Sequence, residues 1–78
     1  MNASEALELV ELRGLFVDGS AQRTRRMARL SLSEAAQAGE VAISTLCRWE
    51  HLQRSPRGAG ALRYARFLRE LRTRTVTR

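Results

Sequence analysis

Two short helices joined by a tight turn are predicted over residues 31–50, and this pair most constrains what the chain can fold into. Ser31 and Glu34 have the spacing of a capping box, in which each side chain accepts a hydrogen bond from a backbone N–H at a helix start. Small apolar residues follow, and Gly39 offers a place for the chain to turn. A second helical stretch then carries Trp49 on its inward side. This layout is typical of a helix-turn-helix unit.

The size and charge of the chain limit its function to a few classes. Seventy-eight residues form at most one small domain, with no room for an elaborate active site. The formal net charge is +6, and all of the Lys+Arg residues are arginine. Residues 1–18 carry four acidic side chains and one arginine, whereas the remainder carries thirteen arginines and four glutamates. A basic body with an acidic N-terminal segment indicates a polyanionic partner that contacts the body.

Several other classes of protein are not expected. Cys47 and His51 are the only cysteine and histidine, so an internal disulfide and a Cys/His zinc site are excluded, and we expect no metal or cofactor. These two residues also lack a third catalytic group, so an enzyme is not expected. No apolar run approaches membrane-spanning length, and the N-terminus is acidic where a signal peptide is basic. We therefore expect a cytoplasmic protein that has no membrane partner.

An N-terminal helix is predicted over residues 3–13, followed by an apolar connector that ends at Val17. Asn2 and Glu5 form a second capping box at its start, and Gly14 is expected to end it. Its apolar residues extend beyond one stripe, which is typical of a helix with two partners, such as its own core and a second subunit. One side consists of Ala3, Ala6, Leu7 and Val10, and the side nearer the glutamates consists of Leu9 and Leu12. The alternative is that the second side is only half-exposed.

The remaining sequence predicts four more helices and therefore a single all-α domain. Asp18 or Ser20 caps the next helix, and Pro56 prevents any helix from crossing it. Apolar residues then recur at helical spacing, which predicts a last helix that ends at about Leu71. The basic tail, residues 72–78, is predicted as a frayed end or a short strand. Residues 1–17 thus precede a core over residues 20–71, with helices predicted at residues 20–29, 32–38, 43–51 and 61–71.

A set of residues with a particular spacing runs through the predicted core without a gap. They are Arg25, Leu30, Ser31, Ala36, Val41, Leu46, Trp49, Glu50, Pro56, Ala65 and Leu68. With these residues the chain resembles the phage-repressor (lambda-repressor/Cro-like, XRE-type) family from about Ala21 to Leu68. The resemblance implies a five-helix domain with a central helix-turn-helix and a recognition helix at residues 43–51. It also implies an ion pair between Arg25 and Glu50; the alternative for Arg25 is a solvated contact with phosphate.

The sequence departs from the family pattern at three positions. Glu40 stands where the family has a turn glycine, and the nearest glycine is Gly39, one position earlier. Ala42 replaces the usual Ser or Thr cap of the recognition helix, and a missing cap typically costs about 1 kcal/mol. Leu52 replaces the glycine that usually follows this helix. We therefore expect a turn of shifted register and a fourth helix that runs past His51.

The resemblance assigns the exposed face of the recognition helix to the base edges of DNA. Arg48 is the strongest of these readers, because its planar fork can bond both acceptors of a guanine. The predicted base-reading residues are Ile43, Ser44, Cys47 and Arg48. Contacts with phosphate are expected at Arg23, Leu32, Thr45, His51, Arg54 and Arg57. The arginines of the last helix are expected to form a solvated face.

The function implied by the resemblance is sequence-specific regulation of transcription. The chain would be a Cro-type repressor, of bacterial or bacteriophage origin, that occupies double-stranded operator DNA as a homodimer. Two related alternatives are an excisionase-like protein and an antitoxin, which would hold its protein partner through the N-terminal helix. An alternative from another class is a protein-interaction adaptor that has kept the fold and lost DNA binding. Salt-dependent binding to random duplex DNA separates the adaptor from the others.

Overall fold

The computed structural model describes residues 1–76, with side chains described through Arg74. The helices are α1 Ala3–Val17, α2 Ser20–Met27, α3 Leu32–Ala38, α4 Ile43–Glu50 and α5 Gly58–Val76. No strand occurs within residues 1–76, so the predicted all-α fold of five helices is confirmed for that range. α1 packs against α2 and α5, α5 also packs against α2, and α3 packs against α4.

Both predicted capping boxes are present. Asn2 Oδ1 accepts a hydrogen bond from the Glu5 N–H at 2.8 Å, and Glu5 Oε1 accepts one from the Asn2 N–H at 3.2 Å. The Ser31 hydroxyl accepts from the Glu34 N–H at 3.0 Å, and Glu34 Oε1 accepts from the Ser31 N–H at 2.9 Å. The bond from the Ser31 N–H is the main reason why the pKa of Glu34 is lowered. α3 therefore begins at Leu32, as predicted.

α1 does not end at Gly14. It continues through the predicted connector to Val17, and Phe16 is buried in the core. A glycine inside a helix costs only about 1 kcal/mol relative to alanine, whereas burial of an aromatic side chain contributes about 1.5–3 kcal/mol. The chain leaves the helix at Gly19 instead, where φ is +83°. The N-cap of α2 is Gly19, and Asp18, one position before it, accepts a hydrogen bond from the Ser20 N–H through Oδ1 at 2.8 Å.

The core side of α1 is the side nearer the glutamates, so the alternative of a half-exposed second side is wrong. Leu9 and Leu12 are buried rather than half-exposed, whereas Leu7 and Val10 are exposed. The length of α1 explains which side faces the core. Once the helix runs past the glycine, Phe16 joins Leu9 and Leu12 at helical spacing and gives that side the larger apolar volume.

Three aromatic rings meet at the centre of the core. The ring centroids of Phe16, Trp49 and Tyr64 lie 5.9–6.0 Å from one another, within the range of favourable aromatic contacts. The Tyr64 hydroxyl is buried and has no hydrogen-bond partner among the described residues. Burial is the main reason why the pKa of Tyr64 is raised. Met27 is exposed on α2.

Three helices end at a non-glycine residue in the left-handed conformation. Arg29, Glu40 and Leu52 have φ values of 59°, 60° and 59°. In each case the next N–H bonds a carbonyl five residues back, which is the Schellman arrangement. These bonds are Leu30 N–H to Arg25 O (3.2 Å), Val41 N–H to Ala36 O (2.9 Å) and Gln53 N–H to Arg48 O (2.8 Å).

These helix ends correct three expectations. α2 ends at Met27 rather than at residue 29, because the chain has already turned there. The turn after α3 is not shifted in register, since Glu40 itself takes the left-handed conformation. α4 ends at Glu50 and does not run past His51, because Leu52 is left-handed as well.

Gly39 is required by close packing rather than by backbone conformation. Its φ is −85°, in the ordinary right-handed region. A Cβ at this position would lie 2.4 Å from Cδ1 of Tyr64, which is closer than real side chains approach. The glycine therefore lets the end of α3 rest directly on the Tyr64 ring of α5.

We expect Gly39→Ala to lower the free energy of unfolding by about 1–3 kcal/mol, because the added methyl overlaps the Tyr64 ring. Gly14→Ala is the matched control, since its Cβ would meet nothing within 4 Å. The better helix propensity of alanine should raise stability there by about 0.8–1.0 kcal/mol. Urea denaturation at low protein concentration measures both effects. An unchanged stability for Gly39→Ala would show that the Tyr64 ring can move aside.

Candidate nucleic-acid interface

α3 and α4 form a tightly packed pair joined by residues 39–42. Ala35 and Ala36 of α3 and Leu46 of α4 are buried between these helices and the core. Alanine is small enough for two helix backbones to approach closely, as the family resemblance implies for Ala36. The N-cap of α4, Ala42, makes no side-chain hydrogen bond to the helix, as predicted from its lack of a polar group. α4 is therefore held by packing rather than by its own cap.

The predicted base-reading residues lie on the outer side of α4. Ile43, Ser44 and Arg48 are exposed, and Cys47 is half-buried between them and the core. The opposite side carries the buried Leu46 and Trp49. This separation leaves an exposed strip along the helix that carries Ser44 and Arg48 beside the apolar Ile43.

A groove beside α4 brings several of the predicted contacts together. It is lined by Thr45, Arg48, Trp49, Gln53, Arg54, Ser55 and Arg57. Three predicted phosphate contacts (Thr45, Arg54 and Arg57) thus share one groove with the strongest predicted base reader. Gln53 and Ser55 were not predicted. The only sequence signal for them is their place between α4 and Pro56, in a loop that must fold back beside the helix.

The arginines of this groove lack acidic partners. Among the described side chains, no carboxylate lies within ion-pair distance of Arg48, Arg54 or Arg57. Arg66 and Arg69 on α5 differ, because their guanidinium nitrogens lie 3.3 and 3.6 Å from Glu8 Oε1 on α1. The acidic helix α1 therefore offsets positive charge on α5 and leaves the groove basic.

Three other predicted phosphate contacts lie apart from this groove. Arg23 lines a separate crease with residues of α2 and with Glu50. Leu32 is half-buried at the start of α3, where the Glu34 carboxylate already accepts a backbone hydrogen bond. His51 is exposed at the end of α4, and its Nδ1 lies 2.8 Å from its own helix carbonyl at Cys47. This leaves only Nε2 of the His51 ring for an external partner.

The ion pair between Arg25 and Glu50 is present and joins α2 to the C-terminal end of α4. Arg25 Nε lies 2.6 Å from Glu50 Oε2 and Nη2 lies 2.8 Å from Oε1, so the contact is bidentate. Nη1 donates a third bond to the Leu30 carbonyl at 2.9 Å. The two side chains are only 12% and 5% exposed. The hydrogen bond to Glu50 is the main reason why the pKa of Arg25 is raised.

Two residues that the sequence did not indicate tie α1 to the end of α4 and to the loop that follows it. Gln22 Nε2 donates to the carbonyls of Phe16 at 3.2 Å and of Glu50 at 2.9 Å. Arg13 Nε donates to the Pro56 carbonyl at 2.8 Å. Both side chains bond backbone carbonyls, which no residue pattern reveals. The C-terminal end of α4 is thus bonded to α2, and the loop after it is bonded to α1.

Among the described residues, the basic groove beside α4 is the candidate site. No group of three His, Cys, Asp or Glu side chains among them could hold a metal ion. None of the described helices has the length and apolar character that crossing a membrane requires. The chain matches no protein-family model, and no curated protein or solved structure is significantly similar to it.

We expect Arg25→Ala to lower the free energy of unfolding by about 3–5 kcal/mol, because it leaves the buried Glu50 carboxylate without its partner. Arg66→Ala is the control, since its ion pair is exposed and such pairs contribute only about 0–1 kcal/mol. Chemical denaturation followed by tryptophan fluorescence measures both, with Trp49 as the probe. Equal losses in the two variants would contradict a structural role for the Arg25–Glu50 pair.

Proposed function

We propose that this protein is a sequence-specific regulator of transcription, of the Cro-type repressor class, that binds double-stranded DNA through α4. The observation that carries the proposal is the basic groove beside α4. Its arginines have no acidic partner among the described side chains, and they lie next to the exposed face of a helix whose C-terminal end is fixed by the Arg25–Glu50 pair. A surface of this kind suits a phosphate backbone beside a major groove.

The dimensions of α4 suit insertion into the major groove. Eight residues give a helix about 12 Å long, similar to the width of about 12 Å of the major groove of B-DNA. Arg48 projects from its exposed face and is the side chain able to bond guanine O6 and N7 together. Such a bidentate contact contributes about 1–3 kcal/mol of discrimination between bases.

The residues after α4 supply the contacts with phosphate. Arg54 and Arg57 lie in the same groove as Arg48, and Thr45 contributes a hydroxyl at its edge. Each neutralised phosphate releases counterions, so binding should weaken as the salt concentration rises. Leu32 is the least favourable of the proposed phosphate contacts, because the Glu34 carboxylate stands at the same helix start.

The alternatives differ in what else they require. An excisionase-like protein would carry a β-wing after α4, whereas residues 51–57 form a short connection to α5 and no strand occurs within residues 1–76. An antitoxin or an adaptor would use a protein-binding surface, and the exposed apolar side of α1 is one observation that fits them. A regulator that reads two half-sites would act as a homodimer.

We expect Arg48→Ala to relax sequence preference at one base position, because it removes a base contact. Arg54→Ala should weaken binding to all sequences alike and reduce the slope of log K against log salt by about 0.9, the effect of one phosphate contact. Arg66→Ala is the matched control and should change neither property, because the Arg66 side chain on α5 pairs with Glu8 on α1. Selection from a random DNA pool measures the preference, and fluorescence anisotropy over a salt series measures the slope.

Two outcomes would contradict the proposal in different ways. Binding to duplex DNA that does not depend on salt, or no binding, would favour an adaptor over a DNA-binding regulator. Identical effects of Arg48→Ala and Arg54→Ala on every sequence would reject Arg48 as the base reader.

A further inference from the structure

One face of α1 remains exposed although it is apolar. Leu7, Val10 and Val17 are 69%, 61% and 72% exposed, and Gly14 lies between them. Their spacings of three, four and three residues follow the heptad pattern of helices that pair with one another. Leu52 is 59% exposed and lines the same crease as Val17, so it extends this face. We call these five residues the outer face.

Two members of the outer face are unfavourable choices for an isolated chain. Gly14 lies inside a helix, and a Cβ there would meet nothing within 4 Å, in contrast to the crowded Gly39. Leu52 holds a left-handed conformation that glycine adopts without strain, and it also exposes an apolar side chain. A second helix lying close to α1 would explain both, because it needs a small residue at one point and apolar contacts around it.

We propose that the outer face binds a second copy of this chain, with the two α1 helices side by side and parallel. α1 has 15 residues and is therefore about 22 Å long. A contact strip roughly 10 Å wide along it buries well under the 1,200 Å² or so that stable complexes need. The area suits a weak self-association that DNA completes rather than a permanent complex with another protein. The biological use of this dimer rests on the proposed function, whereas the association itself does not.

The charges beside the outer face favour the parallel orientation. In the heptad that contains Val10, Arg13 flanks one edge of the face, and Glu11 and Asp18 flank the other. In a parallel pair Arg13 faces Asp18 of the second copy, whereas an antiparallel pair brings the two acidic edges together. The C-terminal end of α1 lies beside the end of α4, joined through Gln22. A parallel pair therefore places both copies of α4 at the same end of the dimer.

Sedimentation equilibrium without DNA, over a concentration series that extends to the millimolar range, tests the surface. We expect Val10→Lys to weaken self-association about tenfold or more, because a charge would be buried at the contact. Met27→Lys is the matched control, since Met27 is 69% exposed but lies on α2, away from the outer face. Circular dichroism checks that both variants keep the fold. A wild-type chain that stays monomeric throughout, or equal effects of the two substitutions, would overturn the proposal.

Gly14→Ala is expected to raise the stability of the monomer and to weaken self-association. The better helix propensity of alanine should raise Tm of the dilute monomer by about 4–8 °C. The added methyl should at the same time weaken self-association, because it separates the two helices. A variant that is more stable and associates as well as the wild type would contradict a close approach at Gly14.

Disulfide trapping tests the orientation. In a Cys47→Ser background, Leu7→Cys should form an intermolecular disulfide on mild oxidation, because a parallel pair places the two copies of residue 7 opposite each other. Met27→Cys should not. Absence of the Leu7→Cys disulfide in a chain that self-associates would reject the parallel arrangement. A chain that binds DNA but never dimerises would overturn this proposal and leave the proposed function unaffected. A chain that dimerises but does not bind DNA would support this proposal and contradict the proposed function.

Discussion

The Arg25 guanidinium and the Glu50 carboxylate meet where α2 and the end of α4 come together. α1, α2 and α5 pack on one another, and α3 packs on α4, and these two groups share one hydrophobic core. The ion pair and the ring of Trp49 connect these groups, with hydrogen bonds from Gln22 to α1 and α4 beside them. Because the pair is buried, its loss would leave an uncompensated charge in the core. The position of the candidate interface depends on this contact.

Features encoded by neighbouring residues could be predicted from the sequence. The capping box of Ser31 and Glu34 places the start of α3 correctly, because both partners of each hydrogen bond lie within one turn. The Arg25–Glu50 pair, by contrast, spans 25 residues and followed only from the family resemblance. The outer side of α4 also agrees with the prediction, since the buried Trp49 determines which side faces inward.

Features that depend on tertiary contacts could not be predicted in the same way. Both sides of α1 are apolar, so periodicity alone did not identify Leu9 and Leu12 as the core side. Gly39 is favoured at its position because of close contact with Tyr64, which lies 25 positions away in the chain. Gln53 joins the candidate groove only because the loop after α4 folds back along the helix. In each case the deciding partner is distant in sequence, and the residue type itself carries no sign of it.

The left-handed residues that end three helices have a consequence for how the surface of this domain can change. The strain at Arg29, Glu40 and Leu52 comes from the Cβ atom, which every residue except glycine has. At these three helix ends, replacing one side chain by another that is also not branched at Cβ therefore changes the backbone energy little. The Schellman bonds that define the helix ends involve only backbone atoms and remain in place. These three helix ends are thus sites at which the charge and shape of the side chain can vary while the helices keep their lengths and the fold keeps its stability.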